Sequence, residues 1–148
     1  MRPRRILRRF LGHEGGASAL EFALVAVPLL LIIVGTVEYG RALWTQQAMQ
    51  SLAISTARCI GVQQTQCTNS GTYNANKTST WVIGEAAKLG VPLQAANLTV
   101  NASTTCRGVT GFATVAISYA FVSAAPQFVT ALVLGPTLRA EACFPVQS

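Results

Sequence analysis

GGASALEFALVAVPLLLIIVG, residues 15–35, is an almost unbroken apolar run with one carboxylate, Glu21, just inside its front end. Sixteen uncharged residues separate Glu21 from the next acid, Glu38. As a helix they cover about 24 Å at a rise of ~1.5 Å each. The hydrocarbon core of a bilayer is about 30 Å thick. Adding Ala17 to Leu20 closes the gap, so the run reads as a membrane span over residues 17–37. Pro28 lies inside it, removes one backbone donor and crowds the carbonyl of Leu24. A kink or local unwinding is expected there, which membrane helices tolerate when neighbouring helices compensate.

The charge around this run sets its direction. The chain has 148 residues, 51% of them hydrophobic and 11% charged, with a formal net charge of +6. Five of the eleven basic residues are Arg2, Arg4, Arg5, Arg8 and Arg9. Arginines before the span and few after it put the N-terminus in the cytoplasm and the C-terminal body outside. A basic nucleic-acid arm is another meaning of such a cluster, but this one runs straight into the apolar segment. A secretory signal peptide also has a basic front and an apolar middle. Its cleavage would fall in VGTVEYGR, residues 34–41, where the small residues sit poorly for an A-x-A site.

Beyond Glu38 the helical pattern continues. Tyr39, Leu43, Met49, Leu52, Ile54, Ala57 and Ile60 recur among polar residues, many at three- and four-residue intervals. One continuous helix is expected from Ala17 to about Cys59, with Gly61 as its stop. Residues 62–80 are polar and read as a loop. A short helix follows from about Thr80 to Leu89, with Ser79 as N-cap, Gly90 as C-cap and Pro92 beyond it. The period then changes to two. Leu98, Val100 and Ala102 form one alternating set. Val115, Ile117, Tyr119 and Phe121 form a second, and Leu138, Ala140, Ala142, Phe144 and Val146 a third. Residues 107–111 make a hairpin turn between the first two strands. The apolar connection 123–136 reads as a short helix or flap. The expected fold class is α+β: a long N-terminal helix whose outer half packs on a small antiparallel sheet. Its segments are a basic leader (1–16), a membrane half-helix (17–37), an amphipathic half-helix (38–60) and an α+β body (61–148).

The four cysteines, Cys59, Cys67, Cys106 and Cys143, all follow the span, and none has metal-site spacing. In an exported body of this size they suggest two disulfides. Of three pairings, closeness in sequence favours Cys59 with Cys67, leaving Cys106 with Cys143. The alternation puts Cys143 on the polar side of its strand, so its disulfide would lie on the outer face of the sheet or at its edge.

The chemistry points away from catalysis. The chain has no aspartate, and its single histidine, His13, precedes the span. A hydrolase needs a nucleophile with a base, a carboxylate pair or a metal set. Glu85 and Lys88 are an i,i+3 surface pair. No cofactor and no metal is expected.

Glu21 acquires a purpose if the chain is cut between Gly16 and Ala17. It then becomes the fifth residue, beside a new amine at Ala17. A carboxylate at the centre of a bilayer costs about 2.5–3.5 kcal/mol, less near its edge. Pairing with a neighbouring subunit's amine would lower that cost and fix an axial register. The alternative is that Glu21 snorkels to the headgroups.

At these residues the sequence resembles the type IV pilin superfamily, whose prepilin cleavage site Gly16, Glu21 and Phe22 match. More specifically, Glu21-Phe22-Ala23-Leu24, Pro28, Gly35, Glu38, Gly40 and Arg41 resemble the TadE-like proteins, pseudopilins of the tight-adherence (Tad/Flp) pilus machinery. The later ALWTQQAMQSLAISTARCIG fits the same pattern, and the resemblance covers about residues 14–61. It implies a pilin-like fold and removal of residues 1–16 by a membrane prepilin peptidase. It also implies a mature subunit in the inner membrane with its body in the periplasm, which then enters or helps begin a pilus. The implied partners are other Tad pseudopilins, the Flp major pilin, the inner-membrane assembly platform and the lipid bilayer, with no nucleic acid. Two other readings stay open: an uncleaved single-span binding or adhesion module, and a minor pseudopilin of a type II secretion system.

Overall fold

The computed structural model of the chain describes residues 15–123 and 137–147. The expected leader, up to residue 14, and the flap at 124–136 lie outside these residues. The element order is α1 (Gly15–Gly61), β1 (Thr68–Asn69), β2 (Thr72–Tyr73), α2 (Ala75–Lys88), a 3-10 turn (Ala95–Asn97), β3 (Leu98–Cys106), β4 (Val109–Ala120) and β5 (Thr137–Pro145). A long apolar helix with small antiparallel sheets makes this an α+β arrangement. The chain divides into two compact units, one ending at Val37 and one over Glu38–Ser148.

In the first unit α1 is apolar on every side. Leu20, Phe22, Leu24, Val27, Leu30 and Ile32 are all exposed. The helix is long and apolar enough to cross a membrane, with a mean hydropathy of 2.5 over its best window. It remains helical through Pro28, so the expected local unwinding does not occur.

In the second unit α1 turns one face to a core. Ala42, Met49, Leu52, Ala53, Thr56, Ala57 and Ile60 are buried, at the spacing of one helical stripe. Tyr39, Leu43 and Ile54 were expected on that stripe and are exposed instead. Alanines take their places: Ala42, Ala48, Ala53 and Ala57 are buried. Thr56 is fully buried, and its hydroxyl donates to the Leu52 carbonyl at 2.7 Å. Gly61 ends the helix under Phe144: a Cβ there would lie 2.5 Å from the ring and 2.7 Å from the Pro145 carbonyl.

The main sheet has the order β3-β4-β5, all antiparallel. Val115, Ile117, Leu138 and Ala140 face the core, as the period of two required, joined by Ala113. The turn between β3 and β4 is tighter than expected. Only Arg107 and Gly108 form it, both with positive φ, the two-residue turn that matches strand twist. Gly111 is already inside β4. On the β5 edge, Gln46 and Gln50 of α1 donate side-chain amides to the Arg139 and Glu141 carbonyls at 2.7 and 3.1 Å.

The segment expected to be a loop carries structure. Its middle forms the β1–β2 hairpin, and α2 starts five residues before the expected Thr80. Asn74, not Ser79, is the N-cap: its side chain accepts from the Lys77 amide at 2.9 Å. The polar first turn is held by the preceding chain, since the Cys67 carbonyl accepts from the Asn74 amide and the Thr78 hydroxyl. At the other end Leu89 is the cap residue and Gly90 follows with φ +75°. The Gly90 and Val91 amides close on the Ala87 and Ala86 carbonyls, the paired arrangement that satisfies a helix end.

Two disulfides staple the second unit. Cys59–Cys67 is fully buried and joins the end of α1 to the segment leading into α2. Cys106–Cys143 joins β3 to β5, with Cys143 on the exposed side of its strand.

Candidate functional site

The residues singled out in the sequence fall into two groups. Gly16, Ala17, Glu21, Phe22 and Pro28 all lie on α1 within the first unit. The four cysteines all lie in the second. Glu21 and Phe22 are exposed, Phe22 to 75%. A carboxylate and an aromatic ring thus stand side by side on a bare apolar helix, one turn after Ala17. Such a surface suits a bilayer or other apolar helices.

A second constellation was not singled out as a site. Glu38, the first charged residue after the apolar run, is only 5% exposed. The Arg41 guanidinium, one turn along α1, donates to Glu38 Oε1 at 2.6 Å. The Ser123 hydroxyl donates to Oε2 at 2.7 Å. Arg41 also lies over the Phe121 ring, 5.4 Å from its centre, within range of a cation–π attraction. Both carboxylate oxygens are therefore engaged. A charge-assisted bond of this kind is roughly twice as strong as a neutral one, and it offsets the desolvation of a buried acid. The arrangement ties the chain just past β4 to α1 and lets a carboxylate sit there without facing an apolar environment alone.

The i,i+3 spacing of Glu38 and Arg41 was the available signal. Ser123 and Phe121 had none, because they lie more than eighty residues away and the fold alone brings them there. Elsewhere, burial pushes the Tyr73 phenol above its ordinary value of 10.0. Among the described residues no three His, Cys, Asp or Glu side chains are grouped to hold a metal ion.

In comparison with known families, residues 16–58 match the family described as TadE-like protein. No curated protein and no solved structure matches the chain. The matched region lies wholly within α1 and takes in Glu21, Phe22, Pro28, Glu38 and Arg41. From Gly16 to Arg58, α1 is similar to the TadE-like proteins.

Proposed function

We propose that the chain is a minor pilin, or pseudopilin, of the Tad (Flp) pilus machinery. In this reading a prepilin peptidase cuts between Gly16 and Ala17. The mature subunit stands in the inner membrane with its disulfide-stapled body in the periplasm, and it enters or helps to start a pilus with the Flp pilin and other Tad pseudopilins. Its role is structural rather than enzymatic. The observation that carries the reading is the family match over 16–58, which begins at Gly16 and takes in Glu21 and Phe22. The bare apolar surface of α1 around these residues supports it. Glu21 would meet the Ala17 amine of a neighbouring subunit, because an unpaired carboxylate in that setting is costly.

The test is the intact mass and N-terminal residue of the protein purified from its native membrane, beside a Glu21→Ala variant. A chain starting at Ala17 is expected. Glu21→Ala should still be processed but should no longer co-purify with pilus subunits. A chain still carrying Arg2 to Gly16 would sink the reading and leave an uncleaved, membrane-anchored binding module.

A further inference from the structure

The outer face of the β3–β4–β5 sheet, away from the core, forms a trough. Cross-strand pairing sets two rows on it, Thr99–Ala116–Glu141 and Asn101–Thr114–Cys143. In these two rows the middle strand contributes Ala116 and Thr114, and Phe112, also on β4, lies toward the hairpin end of the trough.

One end of the trough is roofed. The pairing of β3 with β4 is irregular between Asn101 and Thr104 and again between Thr104 and Cys106. Such irregularities bend a strand. In a flat sheet, strands on either side of a third lie about 9.5 Å apart. The Cα atoms of Cys106 and Cys143, on the two flanking strands, are 6.5 Å apart. The hairpin tip therefore curls over the outer face of β4, and the disulfide pins it there. The trough, half open to solvent, has a volume of about 710 Å³, with Arg107 and Phe112 in its wall. That lies within the roughly 300–1,000 Å³ typical of small-ligand sites.

The lining mixes apolar and polar side chains, and the polar ones are uncommitted. Among the described residues, the side chains of Thr99, Asn101 and Thr114 have no hydrogen-bond partner in the protein. Arg107 and Glu141 take part in no ion pair among them either. One guanidinium and one carboxylate leave the trough with no net charge. An anion would meet Glu141 and a simple cation would meet Arg107. A neutral molecule rich in both donors and acceptors meets neither penalty. Carboxylate, amide and guanidinium groups bond pairs of adjacent hydroxyls, and the ring of Phe112 offers an apolar surface to the C–H face of a sugar.

We propose that this trough binds a neutral oligosaccharide, with Asn101, Glu141 and Arg107 bonding its hydroxyls and Phe112 packing on a sugar ring. The proposal does not depend on the chain being a pilus subunit, because it is read on the purified protein. The full chain, in a detergent without a sugar headgroup, is applied to an array of immobilised neutral and acidic glycans. Retention on a defined set of neutral glycans is expected. Asn101→Ala and Glu141→Gln should each weaken it at least about tenfold, the effect of losing a hydrogen bond to a polar or charged group. Ala116→Phe, which fills the trough from its floor, should abolish it. Ser79→Ala, on α2 and outside the trough, should leave it unchanged. Glu141 is exposed, so E141Q and A116F decide the matter even where N101A fails to fold. No neutral glycan retained above the level of Ala116→Phe would overturn the proposal. So would retention of acidic glycans alone, or equal retention by every variant.

Discussion

The ring of Phe144 occupies the space that a side chain on Gly61 would need, with its Cδ1 2.5 Å from the position of a Cβ. The Pro145 carbonyl lies 2.7 Å away on the same side, and the Gln147 amide bonds the Gly61 carbonyl at 2.8 Å. The end of α1 and the end of β5 thus meet backbone to backbone. Gly61→Ala is expected to destabilise the body by about 1–3 kcal/mol, the usual cost of overpacking. Gly84 is the comparison, because nothing lies within 4 Å of its Cβ position in α2. Gly84→Ala should stabilise by about 0.5–1 kcal/mol through helix propensity alone. Thermal unfolding of both variants in detergent checks the pair, and equal shifts would contradict the close approach at Gly61.

Removing the Glu38 carboxylate leaves the Arg41 and Ser123 donors without the acceptor they share. Glu38→Ala should cost about 1–3 kcal/mol, as for a buried polar partner left unsatisfied. A double-mutant cycle with Glu38→Gln and Ser123→Ala isolates the long-range bond. A coupling energy of about 0.5–3 kcal/mol is expected for groups in direct contact. Strict additivity would mean that the Ser123 bond contributes nothing.

The two disulfides should respond differently to reductant. Cys143 is exposed, whereas Cys59 and Cys67 are both 0% exposed. Dithiothreitol on the folded chain should open Cys106–Cys143 first, seen as alkylation of those two thiols by mass spectrometry. Loop closure also ranks their contributions. The Cys106–Cys143 bridge, with 37 residues of separation, is expected to contribute about 4 kcal/mol. Cys59–Cys67, with 8, is expected to contribute about 2.5 kcal/mol. Paired Cys→Ala variants compared by chemical denaturation test the order.

Tyr73 gives a pH-dependent signature. Burial favours its neutral phenol and raises its pKa above 10.0 in the folded chain. The stability it contributes is therefore complete below the unfolded value and falls as pH rises toward the folded one. Melting temperature measured from pH 9 upward should drop less in Tyr73→Phe than in the parent. Parallel curves would remove Tyr73 as the cause.

What the sequence showed best was whatever repeats along the chain. The period of two placed Val115, Ile117 and Leu138 on the core face, because each strand has one buried side. The apolar run and Gly61 bounded α1. The face of α1 was harder to read, since Ala42, Ala48 and Ala53 bury without any strong apolar signal while Tyr39 and Leu43 carry that signal and stay outside. The start of α2 was hidden in ANKTST, a polar string whose first turn is held by Cys67, a residue from the preceding segment. The Glu38–Arg41 pair was visible, but Ser123, the partner of Glu38, and Phe121, the partner of Arg41, were not, because only the folded sheet returns the chain to them.

The glutamine amides on β5 have a consequence for how such bodies meet one another. An open strand edge invites another strand to add to it, and proteins avoid uncontrolled stacking by occupying that edge. Here the protein's own helix does so, with Gln46 and Gln50 bonded to successive outward carbonyls of β5. A neighbouring copy that tried to extend the sheet would first have to displace both amides. Crowded together, these bodies are thereby discouraged from zipping edge to edge at β5, and the geometry of any assembly they form is left to their other faces.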